Sequence, residues 1–160
     1  MMSKGEALII TLTKGLSTTV DPIDADLSAF SWYAKSGYAA RNEERRPNRS
    51  TQFMHRIILE RKIGRMLTKG EFCDHVNLND YDNRRINLRV ATHSQNQTNG
   101  RKYASGNPYK GVTANGKKWA ARIRKDGKRY YLGVFDSPED AHEAYCAAAT
   151  EKHGEFARFN

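Results

Sequence analysis

The chain has 160 residues, with 27 Lys and Arg against 18 Asp and Glu, a formal net charge of +9 and a pI near 9.7. That length suits one ordinary domain or two small ones. The positive surplus points to a polyanion partner (DNA, RNA or an anionic membrane surface), with a merely solubilising surface as the alternative. No apolar run approaches the roughly 18 residues that a spanning helix needs. The opening stretch MMSKGEALIITLTKG has a short apolar patch without the layout of a signal peptide, so the expected location is the cytoplasm of the cell that makes or hosts the protein. Cys73 and Cys146 are far apart and form no CxxC, which argues against a zinc knuckle or a disulfide framework and predicts two reduced thiols.

In chain order, Ala7–Thr13 reads as a strand and Ser17–Asp21 as a second strand or extended piece. DADLSAFSWYA predicts a short helix running into a strand near Trp32, and Gly37–Asn42 is extended. NEERRPNRS is a charged loop. STQFMHRIILERKIG is ambiguous, with a β-branched start and a helical continuation. Leu88–Thr92 is a short strand. Thr92 then suits an N-cap, with Gln95 completing a capping box and Gly100 ending a helix that carries Asn96 in its second turn. Gly, Ser, Asn and Pro in NGRKYASGNP mark a boundary, giving domains at 1–100 and 109–160 joined by a linker at 101–108.

Beyond the boundary, YKGVTA, KWAARIRKD and RYYLGVF predict three strands, with hairpin turns at NGK and KDGK. A helix follows, with Ser137 as N-cap, Pro138 in the first turn and Gly154 as the stop. Its stripe of Ala141, Ala144, Tyr145, Ala148 and Ala149 is core packing against the sheet. Charge is sorted between these elements. Residues 101–135 hold ten Lys and Arg against Asp126 alone, whereas residues 136–155 hold six acids against one Lys. Strand alternation puts Trp119, Ala121 and Ile123 under the helix and Lys118, Ala120, Arg122 and Arg124 on an open basic face. Such a face could enter the major groove of DNA.

The run from Tyr109 to Asn160 resembles the plant ethylene-response-factor (APETALA-type) DNA-binding domain: a Tyr-basic-Gly-Val start, an Ala-x-Ile-Arg strand, Tyr-Leu-Gly-x-Phe, a Glu-Asp-Ala helix start and a Phe-Asn ending. The resemblance implies that the sheet reads duplex DNA through Lys110, Thr113, Arg122, Arg124, Arg129 and Tyr131. The chain departs from the plant pattern in a shorter first loop and in Thr113, which stands where those domains place Arg. An Arg can bridge guanine O6 and N7, worth about 1–3 kcal/mol of discrimination, and Thr cannot.

The segment CDHVNLNDYDNRRINLRVATHSQNQTNG, residues 73–100, holds six Asn, three Asp, two His and three Arg. Phosphodiester hydrolysis needs a base for water, positive charge on the phosphorane and a route for the leaving oxygen. His75 is the side-chain type suited to base work near neutral pH. Asp74 beside it is a hard oxygen ligand, and the amide oxygen of Asn96 could be a second, a donor set that suits Mg²⁺ or Mn²⁺ better than zinc.

This layout resembles the HNH nucleases, in a pattern Asp-His…Asp-Asn-Arg-Arg-x-Asn-Leu-Arg…Asn-Gln; upstream, LTKGLSTTVDPID, FSWYA and MHRIIL are similar to phage- and intron-borne homing endonucleases of that family. The resemblance covers residues 5–100. It implies an α+β chain: a ββα-metal nuclease domain, then a three-stranded antiparallel sheet packed on one helix. It makes His75 the general base, and Asp74 and Asn96 the ligands of one Mg²⁺ or Mn²⁺ ion, with Asn96 where many relatives have His. Asn87 becomes the middle Asn, which fixes the loop and positions His75 through hydrogen bonds without touching metal. The implied activity is nicking of double-stranded DNA by a monomer, a dimer being the alternative.

Arg84, Arg85 and Arg89 are read as phosphate contacts, with salt bridges to Asp80 and Asp82 as the alternative. His55 packs beside the site or acts in the chemistry. His93 faces solvent or phosphate, while His142 and His153 are surface helix residues. Two rival readings stand: a DNA-binding regulator with an inert nuclease domain, and a structure-specific or RNA nuclease. The second lacks the clustered exposed aromatics that base stacking uses.

Overall fold

β1 (Leu8–Thr11) and β2 (Ser17–Val20) pair as an antiparallel hairpin whose turn passes through Lys14 and Gly15 at φ of 73° and 82°. The computed structural model describes residues 6–43, 50–99 and 108–159, with side chains 97–99 left aside. After the hairpin the chain winds through 3-10 turns at Pro22–Ala29, where a short helix was expected; Pro22 opens the first turn with φ already set. β3 (Tyr33–Lys35), β4 (Tyr38–Glu43) and β5 (Ser50–Phe53) form an antiparallel sheet in that order.

The ambiguous stretch resolves into both states. Ser50–Phe53 pairs with β4, then α1 (Met54–Ile63) begins at once and stops at Gly64 in the left-handed region, φ 71°. Met54, Ile58 and Leu59 turn one face of α1 into a core with Ile10, Val20, Leu27, Trp32 and Leu88. Trp32 is 1% exposed, and its indole N–H donates to the Leu27 carbonyl at 2.7 Å, so its one polar atom is satisfied inside the core. β6 (Glu71–His75) pairs with β7 (Leu88–Thr92), and α2 (His93–Asn99) follows directly. The capping box at its start is formed: Thr92 N donates to Gln95 Oε1 at 2.7 Å and Gln95 N to Thr92 Oγ1 at 3.3 Å.

The chain divides into two compact units, Met1–Ala91 and Thr92–Asn160, so α2 belongs with the second. The expected linker at 101–108 lies outside the described residues except for Pro108. In the second unit β8 (Val112–Asn115), β9 (Lys118–Lys125) and β10 (Lys128–Phe135) form an antiparallel sheet ordered β10-β9-β8, and α3 (Pro138–His153) crosses it. Ser137 caps α3 by accepting from Asp140 N at 3.1 Å. Val112, Ala121, Ile123, Ala141, Tyr145, Ala148 and Ala149 make the core between sheet and helix. The small side chains on α3 let the helix lie close to the strands.

The β9–β10 register slips between Tyr131 and Gly133, leaving Leu132 as an extra residue. A bulge of this kind shifts the alternation by one position. Leu132 and Phe135, three apart, therefore both pack against the α3 core, whereas Tyr131 is 62% exposed.

Candidate active site and basic sheet face

β6 delivers Asp74 and His75 at its C-terminal end, where both are buried, 3% and 4% exposed. Burial of two polar side chains costs free energy unless they find partners. Asp74 Oδ2 accepts from Arg89 Nε at 2.7 Å, across the β6–β7 pair. His75 Nε2 lies 3.0 Å from Asn83 Oδ1, and its Nδ1 lies 3.8 Å from Asp80 Oδ1. Its ring is stacked on Tyr38 with centroids 6.0 Å apart, and met edge-on by His55 at 5.4 Å. His55 also packs against Tyr38 and Phe53, and burial, with His75 as the next cause, pushes its imidazole down to about 3. It is neutral at physiological pH.

The abundance of asparagine has a local cause. The loop from Val76 to Asn87 must satisfy its own backbone with side-chain amides. Asn87 Oδ1 accepts from Asn77 N at 2.9 Å, Asn87 Nδ2 donates to Asp82 O at 2.7 Å, and Val76 N donates to Asn87 O. Asn77 Oδ1 accepts from Asn79 N, and Asn79 Oδ1 from Tyr81 N. Asn87 thus clamps the two ends of the loop that leaves His75. The amide that meets the His75 ring is that of Asn83, which is fully buried. Asn83 lies in the DNRR motif, but its partner Thr18 comes from the N-terminal hairpin 65 residues away and carries no sequence signal of its role.

All three arginines of this segment hold acids. Arg84 clasps Asp82 through Nε and Nη2 at 2.7 Å each and keeps that carboxyl below its usual range. Arg85 makes two bonds to the buried Asp24, which Arg61 also reaches at 3.2 Å. Arg89 holds Asp74. Asn96 lies on α2, in the second unit.

Among the described residues no three His, Cys, Asp or Glu side chains gather as a metal cage. Oxygen donors around His75 include the carboxylates of Asp74, its chain neighbour, and Asp80, and the amide oxygen of Asn83. An ionised carboxylate such as that of Asp74 offers about four lone-pair sites. This set fits a hard cation such as Mg²⁺, which takes one or two protein oxygens and completes its shell with water and substrate phosphate.

In the second unit the strand register puts Arg122 opposite Tyr131, Arg124 opposite Arg129, and Thr113 opposite Ala120. Thr113, Arg122, Arg124, Arg129 and Tyr131 are all exposed. A shallow groove of about 380 Å³ is lined by Thr113, Arg122, Arg124 and Arg129, with Tyr109, Gly111, Val112 and Ile123. Lys110 does not line it. It is half-buried, and burial followed by Arg158 holds its ammonium below the usual lysine range.

Residues 52–98 match the family model described as HNH endonuclease, a span that contains Asp74, His75, Asn83, Asn87 and Asn96. Over 135 residues, 84% of this chain and 68% of the relative, the sequence is 29% identical to an uncharacterized HNH endonuclease of Acanthamoeba polyphaga mimivirus. Both similarities support a nuclease, and no helix among the described residues is long and apolar enough to cross a membrane.

Proposed function

We propose that the protein is a metal-dependent endonuclease that nicks double-stranded DNA, with His75 as general base and the open sheet face of the second unit holding the duplex. The observation that carries this reading is the setting of His75: an imidazole at a strand end, its ring packed by Tyr38 and His55 and bonded to Asn83, directly after a buried carboxylate. Nothing in core packing calls for that arrangement, and it is the preorganisation a base requires.

His75 takes a proton from water, the resulting hydroxide attacks phosphorus, and the P–O3′ bond breaks, O3′ taking a proton from solvent, to leave 5′-phosphate and 3′-hydroxyl ends. Asp74 would hold the Mg²⁺ or Mn²⁺ ion, which would supply positive charge for the phosphorane and the departing oxygen. Arg89 orients the Asp74 carboxylate from one side. One site per chain cuts one strand. Thr113, Arg122, Arg124, Arg129 and Tyr131 contact the duplex from the open face of the three-stranded sheet, the role that the resemblance to ethylene-response-factor domains implies.

Conversion of supercoiled plasmid to open circle with Mg²⁺ or Mn²⁺ tests the reading, wild type beside His75→Ala. Nicking by wild type alone is expected. Equal nicking by both removes His75 as base, and DNA retention without cutting by either favours a binding protein with an inert nuclease unit.

A further inference from the structure

We propose that the open face of the second unit reads thymine in the major groove of duplex DNA, through an apolar row of Thr113, Ala120 and Val134 that crosses all three strands. The inference rests on that face holding the duplex and names the base it selects.

The row follows from the register. Thr113 on β8 lies opposite Ala120 on β9, and Ala120 lies opposite Val134 on β10. Opposed residues of an antiparallel pair share a face. Ala120 alternates with Trp119, Ala121 and Ile123, which pack toward α3, so it shares the open face with Arg122 and Arg124. The bulge decides where Val134 goes. Without the extra residue at Leu132, Val134 would fall opposite Trp119 and point at α3. With it, Phe135 takes that place and Val134 is turned outward, 39% exposed. Thr113 at the other end of the row is exposed too. Ala120 between them is fully buried, so it takes no contact itself and puts no polar or bulky group between its neighbours.

The setting of the row says what presses on it. Two residues further along β9 stands Arg122 opposite Tyr131, then Arg124 opposite Arg129. Among the described residues of the second unit, Lys118 pairs with Asp136 and Lys152 with Glu151, and none of these three arginines is in an ion pair. The face therefore offers unspent cations beside a strip of methyl groups. A ligand that matches both is a polyanion with an apolar point at the same depth as its polar edges. The major groove has one, the C5 methyl of thymine, and contact with a threonine methyl or another apolar side chain is how proteins read it. Phosphates and the minor groove present no such group. Uracil lacks the methyl, so the same row separates DNA from RNA.

The test uses the full chain in EDTA, so that bound duplex stays uncut. Duplexes selected from a random library should be enriched in thymine at a fixed position. Replacing that thymine by deoxyuridine removes the methyl and keeps the pairing edge. Affinity by fluorescence anisotropy should then fall about fourfold, the worth of burying one methyl-sized group. Thr113→Ser and Val134→Thr each take one methyl from the row, and both should shrink the difference between the thymine and deoxyuridine duplexes, a coupling that a merely structural role would not produce. Thr113→Arg should move the selection toward guanine, whose O6 and N7 an arginine can bridge. A selection without enriched thymine, equal binding of the two duplexes by wild type, or a difference that survives undiminished in both Thr113→Ser and Val134→Thr overturns the proposal. If a variant fails to fold, the wild-type comparison and the other variant decide. If no duplex is retained at all, the sheet fails as the holding surface and the readout falls with it; if duplex is retained without regard to the methyl, the readout alone fails.

Discussion

Arg124→Gln should move stability and DNA binding in opposite directions. The β9–β10 register sets Arg124 directly across from Arg129, both exposed on the open face. Like charges at opposed positions of an antiparallel pair destabilise it by about 0.2–1 kcal/mol. Removing one should therefore raise the melting temperature of the second unit by up to a few degrees, an effect that shrinks as salt screens the pair. The same change should weaken binding to duplex DNA. If Arg124 meets a phosphate, the slope of log K against log salt becomes shallower by about 0.9. Over a fourfold rise in salt, that is a difference of about 3.5-fold in affinity. Melting by circular dichroism and binding by fluorescence anisotropy, each at several salt concentrations, read the two effects on the same sample. The double variant with Arg129→Gln adds a cycle: once Arg124 is gone, removing Arg129 should bring no further stabilisation. A loss of stability on Arg124→Gln, or an unchanged salt slope, would refute the view that this pair is kept close for an anionic ligand.

Other perturbations probe the scaffold. His55 is held near 3 against an ordinary value of 6.5, so the unfolded state takes up its proton first and stability falls as pH drops below 6.5, by about 2 kcal/mol between pH 7 and 5; urea melts of wild type and His55→Asn should differ in that slope, and parallel slopes would count against it. Asp24→Asn removes the buried carboxylate that Arg85 holds through two bonds, while Arg61 keeps its paired bonds to Asp26, and should cost about 1–3 kcal/mol in urea unfolding; a loss well under 1 kcal/mol would mean that water already reaches the pair. Gly111→Ala places a Cβ against the Cδ2–Cε2 edge of the Tyr145 ring, too close for any side chain, and 2.8 Å from the Arg122 carbonyl, at φ +76°, and should destabilise the second unit by about 2–5 kcal/mol. An unshifted melt for that variant would show that β8 and α3 pack less closely than described.

Much of the fold is legible because it is local. The Ser137 cap, the Gly154 stop, the Asp126–Gly127 hairpin and the Thr92–Gln95 capping box each depend on residues within four positions of one another, and each forms. Alternation along β9 puts Trp119, Ala121 and Ile123 into the α3 core and Arg122 and Arg124 outside. The Leu132 bulge was not legible, since a one-residue slip is set by what β9 and α3 leave room for. The stretch from Ser50 to Gly64 was ambiguous for a related reason. Its β-branched start is claimed by β4 as a strand partner, while the following residues gain more by burying Met54, Ile58 and Leu59, and propensity cannot weigh one tertiary contact against another.

The site divides along the same line. Asp74 and His75 stand out because acid beside imidazole is an unusual dipeptide in an amide-rich loop, and chemistry explains it more simply than packing does. Their supports are long-range. Arg85 bonds Asp24 across 61 positions, and Asn83 reaches Thr18 across 65. Arg84 alone took the near partner that sequence reasoning weighed, Asp82 two residues back. The difference follows from burial. An exposed arginine can settle on whichever acid is close, at little gain either way. A buried acid such as Asp24, fully enclosed, must be met by a cation that the fold brings to it, from wherever in the chain that cation comes. The buried His75 imidazole is met in the same way, by residues that the fold brings to it. Thr18 is such a residue. Its hydroxyl accepts from the amide of Asn83, whose other end meets the His75 ring, and a threonine in a β-hairpin gives no sign in sequence of that support.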